Sequence, residues 1–455
     1  MAMGKRPSRQ EGLFVFSDGL PKSGGHPFYK KLNELLADAE FDRWIERRCE
    51  QYYEADPRGR PSMPPSVYFR MLLVGYFENI DSQRGIAWRC ADSLALRQFL
   101  GIPLHEDTPD HSTLSVTRKR FPKEVFDEVF QFVLKIAAER NLLSGKTVGV
   151  DSTTLEANAA MKSIVRRDTG EDWKEYVTRL MREEGVIAAD QTPTDEEVRR
   201  FDKKRKKKVS NDEWKSKTDK DARIAKLKDG RTHLAYKAEH VVDLDSDIVV
   251  SATVHPATHG DAETLVDSVM DASLNLKKAG SEQQIKEVAA DKGYHKASTL
   301  ELAHSLDLRT YIPEPRRQHE RTWTDKPAGE QRCVYENRRR VKRAKSKTLQ
   351  KLRSERVERT FAHVCDTGGA RRSWLRGLKE VGKRYLITVA GHNLGRILWK
   401  LFGIGKPRSL QGLRALMQLL QALIHPSTPA LSRYEINWRL LPWFTCRLLQ
   451  IRLHA

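Results

Sequence analysis

Two apolar runs in this chain end on an aspartate, and a basic stretch further along carries a glutamate. Asp151 closes Thr147-Val-Gly-Val-Asp151, Asp291 closes Glu287-Val-Ala-Ala-Asp291, and Glu358 lies in Arg353-Ser-Glu-Arg-Val-Glu-Arg-Thr-Phe361. An acid at the end of a buried strand faces a cleft rather than the core. Two such strands side by side bring their carboxylates within reach of a divalent cation. A pair of Mg²⁺ ions about 3.5–4 Å apart clamps the attacking and leaving oxygens of an in-line displacement on phosphorus. Each ion takes hard oxygen ligands and keeps several waters, so few protein carboxylates suffice. Taken singly, each acid reads as an ordinary strand-end or helix-surface residue. Their order in the chain makes them a set.

The elements around them decide whether they meet. Residues 1–26 are rich in Gly, Ser, Pro and Lys and read as a flexible N-terminus. Over 27–143 the apolar spacing is helical, with Phe28, Leu32, Leu35 and Leu36 and then Val67, Met71, Leu72 and Tyr76 on helix faces. The spacing predicts one helix over 82–100, closed by Gly101 and Pro103. A short helix, a turn with Gly and Pro, and a second helix ending in Arg118, Lys119 and Arg120 is compatible with a helix-turn-helix, and equally with a plain helical bundle whose basic end is solvated. From Lys146 the period changes. A short strand ending on Asp151, two β-rich runs over 232–243 and 247–255, a helix over 261–278, a strand over 285–290, a helix over 296–306 and a strand over 308–312 follow in turn. The helix of Glu358 begins near Thr348. Three strands as an antiparallel meander and two more joined through helices make a mixed sheet with helices on its faces. That order fits the ribonuclease-H-like fold, an α/β core in which strands one and four are neighbours and the last helix crosses the sheet. Charged insertions are expected at about 156–226 and 316–347, within a core spanning 144–393. A helical tail over 394–455 includes an amphipathic segment at 413–424 and an apolar, basic one at 438–453.

Composition indicates the partner. The chain carries 81 Lys+Arg against 61 Asp+Glu, a net charge of +20. Such an excess favours a polyanion, because each neutralised phosphate releases condensed counterions. No run of about 20 apolar residues could span a bilayer, and the first residues lack the apolar segment of a signal peptide. Five scattered cysteines without a CxxC pair argue for a reducing compartment and against structural zinc. Nucleic acid in the cytoplasm, at the nucleoid, is the expected partner, and no membrane. The run Lys203–Lys208 reads as a solvated face. Between 338 and 359, 11 of 22 residues are Lys or Arg, and this stretch abuts Glu358, so it is assigned to the phosphate backbone.

The three acid-bearing blocks, Val148-Gly-Val-Asp-Ser-Thr-Thr-Leu-Glu-Ala-Asn158, Val288-Ala-Ala-Asp-Lys-Gly-Tyr-His295 and Arg356-Val-Glu-Arg-Thr-Phe361, resemble those of bacterial insertion-sequence DDE transposases. Arg376-Gly-Leu-Lys-Glu-Val381 with Leu386-Ile-Thr-Val-Ala-Gly-His-Asn393 resembles the helical tail after the catalytic glutamate. The stretch from Gly59 to Phe121 resembles the helical domain that precedes such cores. The resemblance covers roughly 27–400. It implies a helical DNA-binding domain over 27–143, and Asp151, Asp291 and Glu358 as catalytic residues holding two Mg²⁺ (or Mn²⁺) ions. It also implies a homodimer on DNA. Many relatives place Tyr, Arg and Lys seven before, four before and seven after the glutamate, where this chain has Lys351, Ser354 and Cys365. Glu355 is the rival for the third carboxylate.

The reaction so implied is metal-dependent cleavage at the terminal inverted repeats, followed by attack of the freed 3′-hydroxyl on target DNA. No covalent enzyme intermediate is needed. Arg118, Lys119, Arg120, Lys292, Arg338, Arg339, Arg340, Lys342 and Lys351 are the candidate DNA contacts. Tyr294 and His295 adjoin Asp291 and could position phosphates. Two alternatives stay open: a metal-dependent nuclease on the same fold that cuts without joining, and a catalytically silent DNA-binding derivative.

Overall fold

The computed structural model describes residues 27–407, apart from 54–61, 206–209, 228–229, 317–321 and 325. The first seven helices are α1 (Pro27–Asp38), α2 (Phe41–Cys49), α3 (Pro65–Glu78), α4 (Gln83–Asp92), α5 (Leu94–Leu100), α6 (His111–Arg120) and α7 (Lys123–Glu139). They pack around α3, which buries residues on every side, among them Tyr68, Phe69, Met71, Leu73, Val74, Tyr76 and Phe77. A helix apolar all round must sit inside. The single helix expected over 82–100 is two. Ser93 breaks it, because its hydroxyl accepts the Leu96 N–H at 3.3 Å and so caps α5 rather than continuing α4.

The remaining elements are β1 (Thr147–Glu156), β2 (Ile164–Arg166), α8 (Trp173–Glu183), α9 (Asp195–Lys204), β3 (Trp214–Ser216), β4 (Arg223–Lys226), β5 (Thr232–Asp243), β6 (Val249–Pro256), α10 (Asp261–Lys278), β7 (Glu287–Ala289), α11 (Ala297–Ser305), β8 (Arg309–Tyr311), α12 (Ala328–Val341), α13 (Ala344–Phe361) and α14 (Leu378–Phe402). The main sheet runs β4-β5-β1-β7-β8, with β6 further along the same edge of β5 as β4. β1, β5 and β6 pair antiparallel, whereas β7 and β8 run parallel to β1. The mixed sheet expected from the sequence is present, and its first and fourth core strands are neighbours. One placement differs. Asp151 does not end its strand: β1 continues to Glu156, and Asp151 pairs with His240 in the ladder with β5. It is β7, on the other side, that stops at Ala289.

The described residues of the charged segment over 156–226 are folded. α8 and α9 each begin with a capping box, at Asp172 and Thr194. They enclose a small core of Val177, Met181 and Val198. Beside it Arg166 lies over the rings of Tyr176 and Trp214. Asp219 and Asp221 then accept from the backbone N–H groups of Gly377 and Leu378 at 3.2 and 2.9 Å, tying this insertion to the start of α14. Lys203 and Lys204 end α9, whereas 206–208 lie outside the described residues, as do 1–26 and the tail segments 413–424 and 438–453. No described helix is long and apolar enough to cross a membrane. The four described cysteines are buried and free.

Candidate active site

The parallel pairing of β1 with β7 sets the first two acids. Val148 lies opposite Val288 and Gly149 opposite Ala289. Asp151 and Asp291 each follow two residues beyond the last of these pairs, close enough for the charge of Asp291 to act on Asp151. Asp291 has left the ladder by then and caps a turn, its Oδ1 accepting the Gly293 N–H at 2.7 Å. Because β7 stops while β1 continues, the edge of β1 is uncovered at Asp151, and this opening is the cleft. Burial pushes the Asp151 carboxyl above its ordinary range; Arg353 opposes that, and the charge of Asp291 adds to it. The two acids therefore feel one another.

α13 crosses the sheet face above them. Its face is fixed strand by strand. Gln350 Nε2 donates to the carbonyls of Ala290 and Tyr311 at 3.0 and 2.6 Å, at the ends of β7 and β8. Arg353 Nη1 donates to Asp151 Oδ2 at 2.8 Å. Val357 sits over Gly149, where an added Cβ would come within 2.9 Å of its Cγ2 and 2.7 Å of Leu244 Cδ2. Only glycine lets the helix come this close. Thr360 and Phe361 meet His240 on β5, through a 2.8 Å hydrogen bond and a stacked ring 4.2 Å away. The Thr360 hydroxyl donates to the Val357 carbonyl, so it must accept from His240 Nδ1. His240 Nε2 then accepts from Tyr385 of α14 at 2.8 Å. Burial pushes this imidazole down to about 3, so it is neutral. It pins both helices to the sheet.

With about 100° between successive helical residues, the flanks of α13 follow. Arg356 and Arg359 lie on one flank and pair with Asp247 in the β5–β6 turn, toward the start of β1. Lys347, Lys351, Ser354 and Glu358 lie on the opposite flank, toward Asp151 and Asp291. The Ser354 hydroxyl donates to Glu358 Oε1 at 3.0 Å. Glu355 points away from the sheet and pairs with Arg359. Cys365 is buried in the π-helical turn after α13, its Sγ 4.0 Å from the Tyr385 hydroxyl, and is closed to any phosphate.

The candidate cations divide into two groups. Arg118 is drawn into the interface with α14, 3.0 Å from Glu380, and Arg120 stacks on Tyr53 at 4.5 Å. Arg338 pairs with Glu314 at 2.8 Å, and Arg340 donates to the Thr310 carbonyl at 3.1 Å. Lys119, Lys292, Arg339, Lys342 and Lys351 are exposed. Tyr294 and His295 are buried beneath Asp291 rather than facing the cleft. Sequence reasoning missed Arg353, Ser354 and Lys347. The strand-interior glycine before Asp151 and the spacing 353, 357, 360 were the available signals for the crossing helix.

The donor set suits a hard divalent cation. Asp151 and Asp291 offer carboxylate oxygens side by side, in a setting whose burial disfavours two unneutralised charges, and Arg353 supplies one positive charge there. Among the described residues, no three His, Cys, Asp or Glu are gathered as a closed cage. Glu358 stands on the flank of α13 rather than against the aspartates. An open site of two or three carboxylates completed by water is what Mg²⁺ accepts.

Comparison with known families bears on both ends of the chain. Residues 17–120 match the family described as Transposase domain (DUF772), which takes in α1 to α6. Residues 315–398 match the Transposase DDE domain, which takes in α12, α13 with Glu358, and most of α14. No curated protein and no solved structure matches the chain. A transposase domain before the sheet and a DDE domain spanning the helix that crosses it together support an insertion-sequence DDE transposase.

Proposed function

We propose that the protein binds the terminal inverted repeats of an insertion sequence as a homodimer, cuts at their ends with Mg²⁺ or Mn²⁺, and joins the freed ends to target DNA. The core is then a ribonuclease-H-like DDE domain, preceded by a helical DNA-binding domain. The observation that supports this reading is the parallel pairing of β1 with β7, with Asp151 and Asp291 each two residues beyond its last pair and α13, which bears Glu358, crossing the same sheet and bonding Asp151 through Arg353. Asp151, Asp291 and Glu358 would hold two cations, which would supply activation of a water and neutralisation of charge on the phosphate oxygens. Glu358 is preferred to Glu355 because its flank faces the cleft. Lys347 and Lys351, on that same flank, hold the DNA backbone alongside the scissile phosphate, and Ser354 orients Glu358. Water attacks the phosphodiester and releases a 3′-hydroxyl; that hydroxyl then attacks a target phosphodiester, forming one ester bond as another breaks. The test uses labelled end DNA. Cleavage and joining should require Mg²⁺ or Mn²⁺ and should vanish in Asp151→Asn and Asp291→Asn while DNA binding persists. Undiminished cleavage by either variant removes that residue from the site.

A further inference from the structure

On the opposite face of the sheet from α13, a further acid approaches the turn after Asp291. Asp261 is the first residue of α10. Its Oδ1 accepts from the Ser152 hydroxyl at 2.8 Å and from Lys237 Nζ at 2.8 Å. Its Oδ2 borders the space over Gly293, where an added Cβ would stand 3.0 Å from Asp261 Oδ2 and 3.0 Å from Asp291 Oδ1, the atom that accepts the Gly293 N–H. The two carboxylates thus share the edge of a space that only a glycine leaves open.

Behind them the charge is not balanced. Glu239 is 1% exposed. Its Oε2 accepts from the hydroxyls of Thr264 and Tyr294 at 2.7 and 3.0 Å, and lies 3.4 Å from Lys237 Nζ. Its Oε1 has no partner among the described residues. Lys237 is the shared cation for Asp261 and Glu239, and Arg353 serves Asp151. Four carboxylates, those of Asp151, Asp291, Asp261 and Glu239, are therefore met by two positive charges. A buried carboxylate oxygen without a donor is costly unless a cation is near.

We infer that Asp261 is a fourth acidic ligand of the site, which holds a divalent cation together with Asp291 in the space above Gly293, with Lys237 and Ser152 fixing its other oxygen and Glu239 adding negative field from behind. Two protein carboxylates and several waters are enough for Mg²⁺ or Mn²⁺. This inference rests on the active-site reading above and adds to its acids one that the sequence did not single out.

Mn²⁺ binding to the full chain without DNA, followed by calorimetry and by the rise in melting temperature, tests it apart from turnover. Asp261→Asn should weaken Mn²⁺ binding by about tenfold or more and raise the Mn²⁺ concentration for half-maximal cleavage by a similar factor. Gly293→Ala keeps every carboxylate and should also weaken Mn²⁺ binding, because its methyl fills the space the ion needs. Both variants should melt within a few degrees of the parent when no metal is present. If Asp151→Asn loses the Mn²⁺ response while Asp261→Asn keeps the parent's affinity and cleavage midpoint, this inference is overturned and the active-site reading stands. A parent with no Mn²⁺ response overturns both.

Discussion

The strand acids and the helix acid are held by different kinds of structure. Asp151 takes its position from the backbone ladder of β1 with β5, in a register that a one-residue slip would turn inside out, and Asp291 caps the turn that follows β7. Glu358 takes its position from side chains alone: Gln350, Arg353, Val357, Thr360 and Phe361 of α13 resting on the ends of β7 and β8, on Asp151, on Gly149 and on His240. The sheet and its turn hold two of the proposed carboxylates, and an arm, the helix fastened across its face, carries the third.

That contrast is most sharply broken at the arm. Glu358→Gln should reduce cleavage of end DNA by about a hundredfold or more, because it removes a charged ligand. Glu355→Gln, one turn back and paired with Arg359, should stay within about twofold of the parent. Equal losses in the two variants would mean that the arm contributes charge but no particular ligand.

The seat of the arm comes next. Gly149→Ala places a methyl within 2.7 Å of Leu244 and 2.9 Å of Val357, and overpacking of that kind costs about 1–3 kcal/mol. Cleavage should fall more than DNA binding, since α13 is lifted from the acids while the helices before the sheet are untouched. Adding Val357→Ala should restore part of both stability and cleavage, as expected for neighbours that share one space. A double variant no better than the single would show that Val357 does not set the height of the arm.

His240 fastens the arm from below, and its effect depends on pH. Its folded-state value, pushed down to about 3 by burial, lies below the ordinary value near 6.5. The unfolded chain therefore takes up this proton first as pH falls. The stability it supports is full above about pH 6.5 and is lost toward pH 3, by about 1.4 kcal/mol per pH unit. His392 is also buried and shifted down, and steepens the same fall. Urea denaturation from pH 7 to pH 4.5 should show this slope, shallower by one group's share in His240→Asn. A variant with the parent's slope would mean that His240 does not titrate on unfolding.

How much of this was legible follows from the same contrast. Backbone periodicity marks strands and helices, so β1, β7 and the helix of Asp261–Lys278 could be read from apolar spacing and turn residues, and the adjacency of the two strands followed from the fold that their order fits. The extension of β1 to Glu156 could not. Ser152-Thr-Thr gives only the polar end of a short strand until β5 pairs with it over Ala235–Asp243. Ser93 was similarly hidden, because a serine inside an apolar helical pattern caps a new helix only when the chain turns there. The partners of the cations were the least legible of all. Arg118 and Arg338 look alike in sequence to Lys119 and Lys342, and it is Glu380 and Glu314, distant in the chain, that engage the charges of the first two.

This last point makes the smallest prediction and the one most specific to the basic stretch. Of its cations, Lys347 and Lys351 are exposed on the cleft-facing flank of α13, whereas Arg338 and Arg340 are tied to Glu314 and Thr310. Removing one cation from a phosphate of duplex DNA shallows the log–log salt dependence of binding by about 0.9. Lys347→Ala with Lys351→Ala should therefore flatten the slope by up to about 1.8 and weaken end and random DNA alike. Arg338→Ala with Arg340→Ala should instead lower the melting temperature and leave the slope nearly unchanged, because their charges are already engaged within the fold. If the lysine pair leaves the slope at the parent's value, the flank of α13 does not lie along the DNA backbone. If the arginine pair flattens it, those side chains exchange Glu314 and Thr310 for phosphate when DNA arrives.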